Sequence, residues 1–166
     1  MSILLELDHL VIPLIDGYTI LDVGCGWGKW AHLIRTSWNR TVKGSGDTLP
    51  DFLIGVDLFL PNLKRIKFHN LYDDVVACDA VNLSFRKNSF DVVLAIELLE
   101  HLSKDKGKIL LNEVERVSKE TIIITTPNNP AYRAGTMSFE GFNPYDVHIS
   151  KWDLKDLRSK NYYVFG

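Results

Sequence analysis

The stretch ILDVGCGWGKW, Ile20–Trp30, sets three glycines two residues apart directly after an apolar run that carries an aspartate near its end. Glycines at 24, 26 and 28 let a bound molecule touch main-chain amides and the start of the next helix, as in the nucleotide sites of α/β sheets. The spacing is G-x-G-x-G, and Lys29 stands where the dinucleotide pattern G-x-G-x-x-G has its third glycine. Asp22, two residues before Gly24, is expected at the strand end facing the ligand. A negative charge there is unfavourable beside a pyrophosphate but suits a ligand that carries an ammonium and a sulfonium. Asp57 in GVDL is placed to accept from both ribose hydroxyls, and Asp79 in ACDA to receive an adenine amino group. The pattern is one carboxylate at each of three successive strand ends.

A second constellation follows in IELLEHLS. If a helix begins near Glu97, then Glu97, Glu100 and His101 stand at i, i+3 and i+4 and share a face. Two carboxylates and an imidazole so placed could hold a divalent cation, with His148 available as a fourth ligand. Of the other candidates, Cys25 reads as a small residue that fits the loop rather than a reactive thiol. Lys64, Arg65 and Lys67 read as the solvated face of a helix rather than an RNA contact. Trp27 and Trp30 are expected to pack in and beside the glycine loop.

The elements that must position these groups are legible from periodicity. Ile3, Leu4, Leu7, Leu10, Val11 and Leu14 recur at helical spacing, giving an amphipathic opening helix ended by Pro13 and Gly17 and expected against the sheet edge. TILDVG, FLIGVD (52–57), FDVVLAI (90–96) and TIIITT (121–126) are continuous apolar runs typical of strands buried on both faces, with DVVACD (74–79) a further strand. Helical segments over 27–36, 60–69 and 103–117 alternate with them, which predicts an α/β fold with a mostly parallel sheet. Residues 37–50, with KGSGD inside, read as a loop. The segment 127–149 reads as a long substrate-side loop or lid carrying Tyr132, Met137, Phe139, Phe142 and Tyr145. Ser150 with Asp153 resembles a capping box for a helix to about residue 160, followed by a strand at YYVF.

The 166 residues fit a single domain, 1–166, and 46% apolar against 24% charged residues is globular composition rather than that of a disordered chain. The net charge of -2 arises from 21 acidic and 19 basic side chains spread along the chain, which gives no nucleic-acid-binding tail. Cys25 and Cys78 match no metal spacing, no basic-plus-apolar leader opens the chain, and no run reaches the ~18 apolar residues of a membrane span. These features predict a soluble protein in the reducing cytoplasm.

Taken in order, LDVGCGWG, GVDL, CDA, FDVVLAIELLEHL and IIITTPN resemble the successive motifs of the class I S-adenosylmethionine-dependent methyltransferases, nearest the small-molecule (type 11) group that includes those of ubiquinone and menaquinone biosynthesis. The resemblance is close over residues 20–128. It implies a Rossmann-like three-layer sandwich, S-adenosylmethionine as cofactor, and methyl transfer to an O or N acceptor on a small molecule. It places Gly24, Gly26 and Gly28 near the methionine part of the cofactor, Asp57 at ribose and Asp79 beside adenine, with Asp22, Cys25, Leu58, Ala80 and Glu97 as their cofactor-side neighbours. Glu97, Glu100, His101 and His148 are also similar to the metal set of 2'-O-methyltransferases that act on small-RNA 3' ends, which makes that activity the alternative. In the wider family the histidine of EHL packs beneath the site without a metal. His101 and His148 are the candidate proton acceptors.

The family's sheet usually ends in a sixth strand and an antiparallel seventh, and this sequence stops after the expected sixth. The expectation is either a truncated form or an incomplete hairpin whose open strand edge could pair in a dimer. That departure leaves a non-catalytic partner protein of the same fold as another alternative. A nicotinamide oxidoreductase is disfavoured by the glycine spacing and Asp22.

Overall fold

A computed structural model describes residues 5–37, 50–128, 134–138, 141–158 and 162–163. Helix α1 (Leu5–Val11) continues into a 3-10 turn (Ile12–Leu14). Then follow β1 (Thr19–Val23), α2 (Lys29–Ser37), β2 (Phe52–Asp57), α3 (Leu60–His69), β3 (Asp74–Ala77) and β4 (Phe90–Ile96). After a 3-10 turn (Leu99–His101) come α4 (Lys104–Val117), β5 (Ser118–Thr125), β6 (Ala134–Ser138), β7 (Gly141–Val147) and α5 (Leu154–Arg158). The first five strands form one parallel sheet in the order β3-β2-β1-β4-β5. Reversal of direction at β1 puts the ends of β1, β2 and β4 around one crevice at the carboxyl edge, where open α/β sheets bind ligands.

Alternation along the strands builds a core on each face. Ile20, Leu53, Val92, Leu94 and Ile123 pack against Trp30, Ala31 and Ile34 of α2 and Leu63 and Ile66 of α3. Leu21, Val23, Val56, Val93 and Ala95 pack the other way, against Leu110, Leu111, Val114 and Val117 of α4. Helices on both faces of the sheet give the expected three-layer α/β sandwich. Val11 and Ile15 join the core cluster on the α2 face. No helix among the described residues is long and apolar enough to cross a membrane.

Helix α4 is anchored at both ends. Ser103 caps it by accepting from the Lys106 amide at 3.4 Å. Near its far end, Arg116 donates to the Phe85 and Leu83 carbonyls while Glu113 accepts from the Leu83 amide, so the loop after β3, which carries Asp79, is clamped to the helix. Gly107 faces the buried Trp152, and a Cβ at 107 would stand 2.2 Å from its ring. The Gly107→Ala variant is expected to lose about 1–3 kcal/mol through overpacking, read as a lower denaturant midpoint with an unchanged slope.

Several expectations are corrected. The segment 127–149 is not a bare loop: β6 and β7 pair antiparallel as a hairpin, with Met137 opposite Phe142. The alternation of FNPYDV was hidden by its proline and asparagine, which a two-stranded edge tolerates. Ser150 does not cap the last helix. Its hydroxyl accepts from Trp152 Nε1 and donates to the Leu99 carbonyl, while Asp156 accepts from the Asp153 amide at the helix start. Tyr162 and Tyr163 are not in a strand, and the remaining residues of YYVF lie outside the described ones, as do Ile3, Leu4, Tyr132, Phe139 and most of the 37–50 loop.

Candidate functional site

The glycine loop is fixed by the neighbouring strand: the amides of Gly24 and Cys25 both donate to the Val56 carbonyl, at 2.8 and 2.9 Å. Gly24, Gly26 and Gly28 have φ of 74°, 54° and 80°, in the left-handed region open to glycine. They differ in what surrounds them. A Cβ on Gly28 would stand 2.8 Å from Leu71, so that glycine permits close packing of loop on helix. A Cβ on Gly26 would meet nothing nearer than 3.9 Å, and it would occupy open space at the wall of a cavity of about 290 Å³.

That cavity runs along the carboxyl edge of the sheet. At one end it is lined by Gly24, Cys25 and Gly26, by Asp57 and Leu58 after β2, and by Asp79 and Ala80 after β3. Glu97, Glu100 and His101 line its middle, and Asn143, Tyr145, Asp146 and His148 its other wall. Of the cofactor-side residues expected from the sequence, Asp22 and Gly28 do not line it, and neither do Met137 and Phe142 of the expected lid.

Asp22 turns inward. It lies within β1, one residue short of the strand end, is 1% exposed, and accepts from the Tyr72 hydroxyl at 2.6 Å. The expectation that it faces the ligand is corrected. Its register partner Gly55 makes the room, since a Cβ there would meet both the Tyr72 ring and Cys25 at 3.0 Å. Burial pushes the Asp22 carboxyl from 3.8 up to about 7, against the hydrogen bond from Tyr72, with the Asp57 charge adding to the rise. Cys25 is buried beside them, and desolvation drives its thiol pKa upward, which keeps it protonated and inert.

Asp57 is the carboxylate that the loop organises. Its Oδ2 accepts from the Gly26 amide at 2.9 Å and its Oδ1 from the Phe59 amide at 2.7 Å, while Asn62 Nδ2 lies 3.4 Å from Oδ2. Desolvation raises its pKa against these bonds. Asn62, buried at 5% exposure, also accepts from Trp27 Nε1 at 2.9 Å and so ties the loop to α3. The sequence reading missed Asn62 and Tyr72; the glycine inside FLIGVD was the available signal for a close approach at that strand. Asp79 accepts from the Val81 amide at 3.2 Å.

The second constellation has a different geometry from the one expected. No helix begins at Glu97, which adopts φ 52°; the chain turns there and re-forms as the 3-10 turn at Leu99–His101. The Glu97 amide is drawn to Thr125 of the adjacent strand, and the Thr125 hydroxyl donates to the Glu97 carboxylate at 2.8 Å. Glu97 is thereby held apart from the group in which Glu100, His101 and His148 gather, their potential ligand atoms all within 4.8 Å of one another. Three of the four expected metal ligands therefore come together, and Asp146 Oδ1 lies 3.7 Å from His101 Nε2. One buried carboxylate and two imidazoles are a donor set that a divalent cation fits. His101 Nδ1 lies 3.1 Å from the Val147 carbonyl, which directs Nε2 into the cluster. The His101 and His148 rings meet edge to face at 4.8 Å. Burial pushes the Glu100 carboxyl up to about 8, with the Glu97 charge contributing.

Comparison with known proteins resolves the kind of domain. Residues 20–121 match the family described as methyltransferase domain, more than half of the chain. The chain belongs to this family. Among its relatives, the methyltransferase domain is 29% identical to protein MJ0638 of Methanocaldococcus jannaschii over 143 residues, 84% of this chain and 52% of that protein. It is 33% identical over 105 residues to the tRNA (carboxymethyluridine(34)-5-O)-methyltransferase of Arabidopsis thaliana, 63% of this chain and 22% of that enzyme. The PH0226 protein of Pyrococcus horikoshii OT3 shares the fold, with a TM-score of 0.59 and 22% identity over 71% of this chain and 53% of that one. The methyltransferase domain thus spans about half or less of the length of these relatives. Asn143, Tyr145, Asp146 and His148, the cavity's far wall, lie beyond the residues the family matches.

Proposed function

We propose that the chain transfers a methyl group from S-adenosylmethionine to an oxygen or nitrogen of a small-molecule acceptor. The observation that carries the reading is the loop at Gly24–Gly26, open to the cavity and clasped by Asp57, facing across that cavity the imidazoles of His101 and His148. The side-chain-free wall at Gly26 admits the methionine portion of the cofactor against main chain. Asp57 accepts from the ribose hydroxyls and Asp79 from the adenine amino group. When bound, S-adenosylmethionine supplies a methyl carbon already activated by its sulfonium.

The residues of the chain then align the acceptor and manage its proton. Displacement at carbon is in line, so the far wall of Asn143 and Tyr145 must hold the acceptor atom opposite the glycine loop and keep water out. His101 and His148 line the space between and are the groups placed to take the acceptor's proton. A panel of small alcohols, amines and small RNAs incubated with methyl-labelled S-adenosylmethionine tests the reading. Label is expected in a small molecule, and label found only in RNA would overturn it. With that acceptor, His148→Ala and His101→Ala should each lower kcat by about 10²–10⁴-fold if the imidazole is the base, and the one that leaves turnover unchanged is not.

A further inference from the structure

We propose that Asn62 is a positioning residue for the cofactor: its side-chain amide, oriented by the Trp27 indole, holds the Asp57 carboxylate in the orientation that selects a ribose carrying both hydroxyls. The inference rests on the reading that Asp57 receives the ribose of S-adenosylmethionine.

Asn62 lies in the first turn of α3 at 5% exposure, and its side chain bridges two residues of the cavity wall. Its Oδ1 accepts from Trp27 Nε1 at 2.9 Å, and its Nδ2 reaches Asp57 Oδ2 at 3.4 Å. The chemistry of the partners fixes which way the amide faces. An indole nitrogen only donates and a carboxylate only accepts, so the amide oxygen must meet Trp27 and the amide nitrogen must meet Asp57. Trp27 is held in turn by Arg65, three residues beyond Asn62 on α3, whose guanidinium lies 5.3 Å from the centre of the indole ring.

The same turn brackets the carboxylate. The Phe59 amide donates to Asp57 Oδ1 at 2.7 Å, and the Asn62 main-chain amide donates to the Phe59 carbonyl at 3.0 Å. On Oδ2 the Gly26 amide approaches from the loop at 2.9 Å and the Asn62 side chain from the helix. Loop and helix thus grip one oxygen between them, which restricts rotation of the carboxylate at the wall of the cavity. Stability alone does not ask for an amide at this position. Burying one forfeits hydration that an apolar side chain of similar size never had, and Trp27 is at the surface with 39% exposure. What asparagine does here that leucine would not is face Asp57.

Calorimetric titration of the full chain with S-adenosylhomocysteine and with its 2'-deoxy analogue tests this in wild type, Asn62→Leu, Asp57→Ala and the double variant. Wild type is expected to favour the ribose form by about ten-fold or more, as a hydrogen bond to a charged acceptor gives. Asn62→Leu should weaken S-adenosylhomocysteine about three- to ten-fold and the deoxy analogue by less, so that the preference shrinks. Combined with Asp57→Ala it should add less than about two-fold, because the group it positions is gone. A residue that only stabilised the fold would cost both ligands alike and cost the same in both backgrounds, and either result overturns the proposal. If Asn62→Leu does not fold, Trp27→Phe, which removes the indole donor at the surface, should shrink the same preference, and a preference left at the wild-type value overturns the proposal. Wild type that binds S-adenosylhomocysteine without favouring it over the deoxy analogue overturns the ribose reading together with this inference. No binding of S-adenosylhomocysteine at all overturns the cofactor reading with both.

Discussion

Replacing Asp57 with alanine should weaken S-adenosylhomocysteine binding about ten- to a hundred-fold. The carboxylate stands at the end of β2 with one oxygen on the Gly26 amide and the other on the Phe59 amide. The carboxylate lines the cavity, and hydrogen bonds to a charged acceptor contribute about 1.5–3 kcal/mol. Alanine removes the ribose contact and releases the loop together. Asp57→Asn keeps one carbonyl oxygen for the loop and should fall between wild type and alanine. Titration calorimetry on the three proteins measures the effect, and an alanine variant that binds as wild type would remove the ribose assignment.

The second large effect concerns stability. Asp22→Asn should stabilise the protein at pH 8 by as much as about 4 kcal/mol, the equivalent of a carboxyl held from 3.8 up to about 7 by burial. The direction follows from proton linkage. Between those pH values the folded state keeps a proton on Asp22 that the unfolded chain has lost, so wild-type stability falls as pH rises through the window. The full contribution is present below 3.8 and is gone above about 7. The asparagine does not ionise, and its side-chain oxygen still accepts from Tyr72. The two melting curves should therefore converge near pH 4 and separate by roughly 10 °C at pH 8. Tyr72→Phe should do the reverse at pH 8, leaving a buried carboxylate without its donor. Parallel pH profiles for wild type and the asparagine variant would contradict this placement of Asp22.

What could be read from the sequence was whatever depends on neighbours in the chain. β2 and β4 begin and end where the apolar runs of FLIGVD and FDVVLAI begin and end, and α3 spans the expected 60–69. Asp57 ends β2 because the parallel pattern puts it there, whereas β3 stops at Ala77, two residues before Asp79. Groups whose position depends on distant partners were not legible. Asp22 faces Tyr72, fifty residues on, and nothing beside it in sequence says that the strand has one more residue to run before the loop. The turn at Glu97 arises from Thr125 on the adjacent strand, whereas local spacing favoured a helix. The β6–β7 hairpin was concealed because its pairing, not its composition, makes it regular. That hairpin brings Asp146 to His101, a contact across forty-five positions that no motif contains.

The crevice at the carboxyl edge is proposed to hold S-adenosylmethionine and not a dinucleotide. Titration of the full chain with S-adenosylhomocysteine and, separately, with NAD tests it most directly. Saturable one-to-one binding of S-adenosylhomocysteine with no heat from NAD is the predicted result. Binding of NAD in its place, or of neither ligand, would contradict the account.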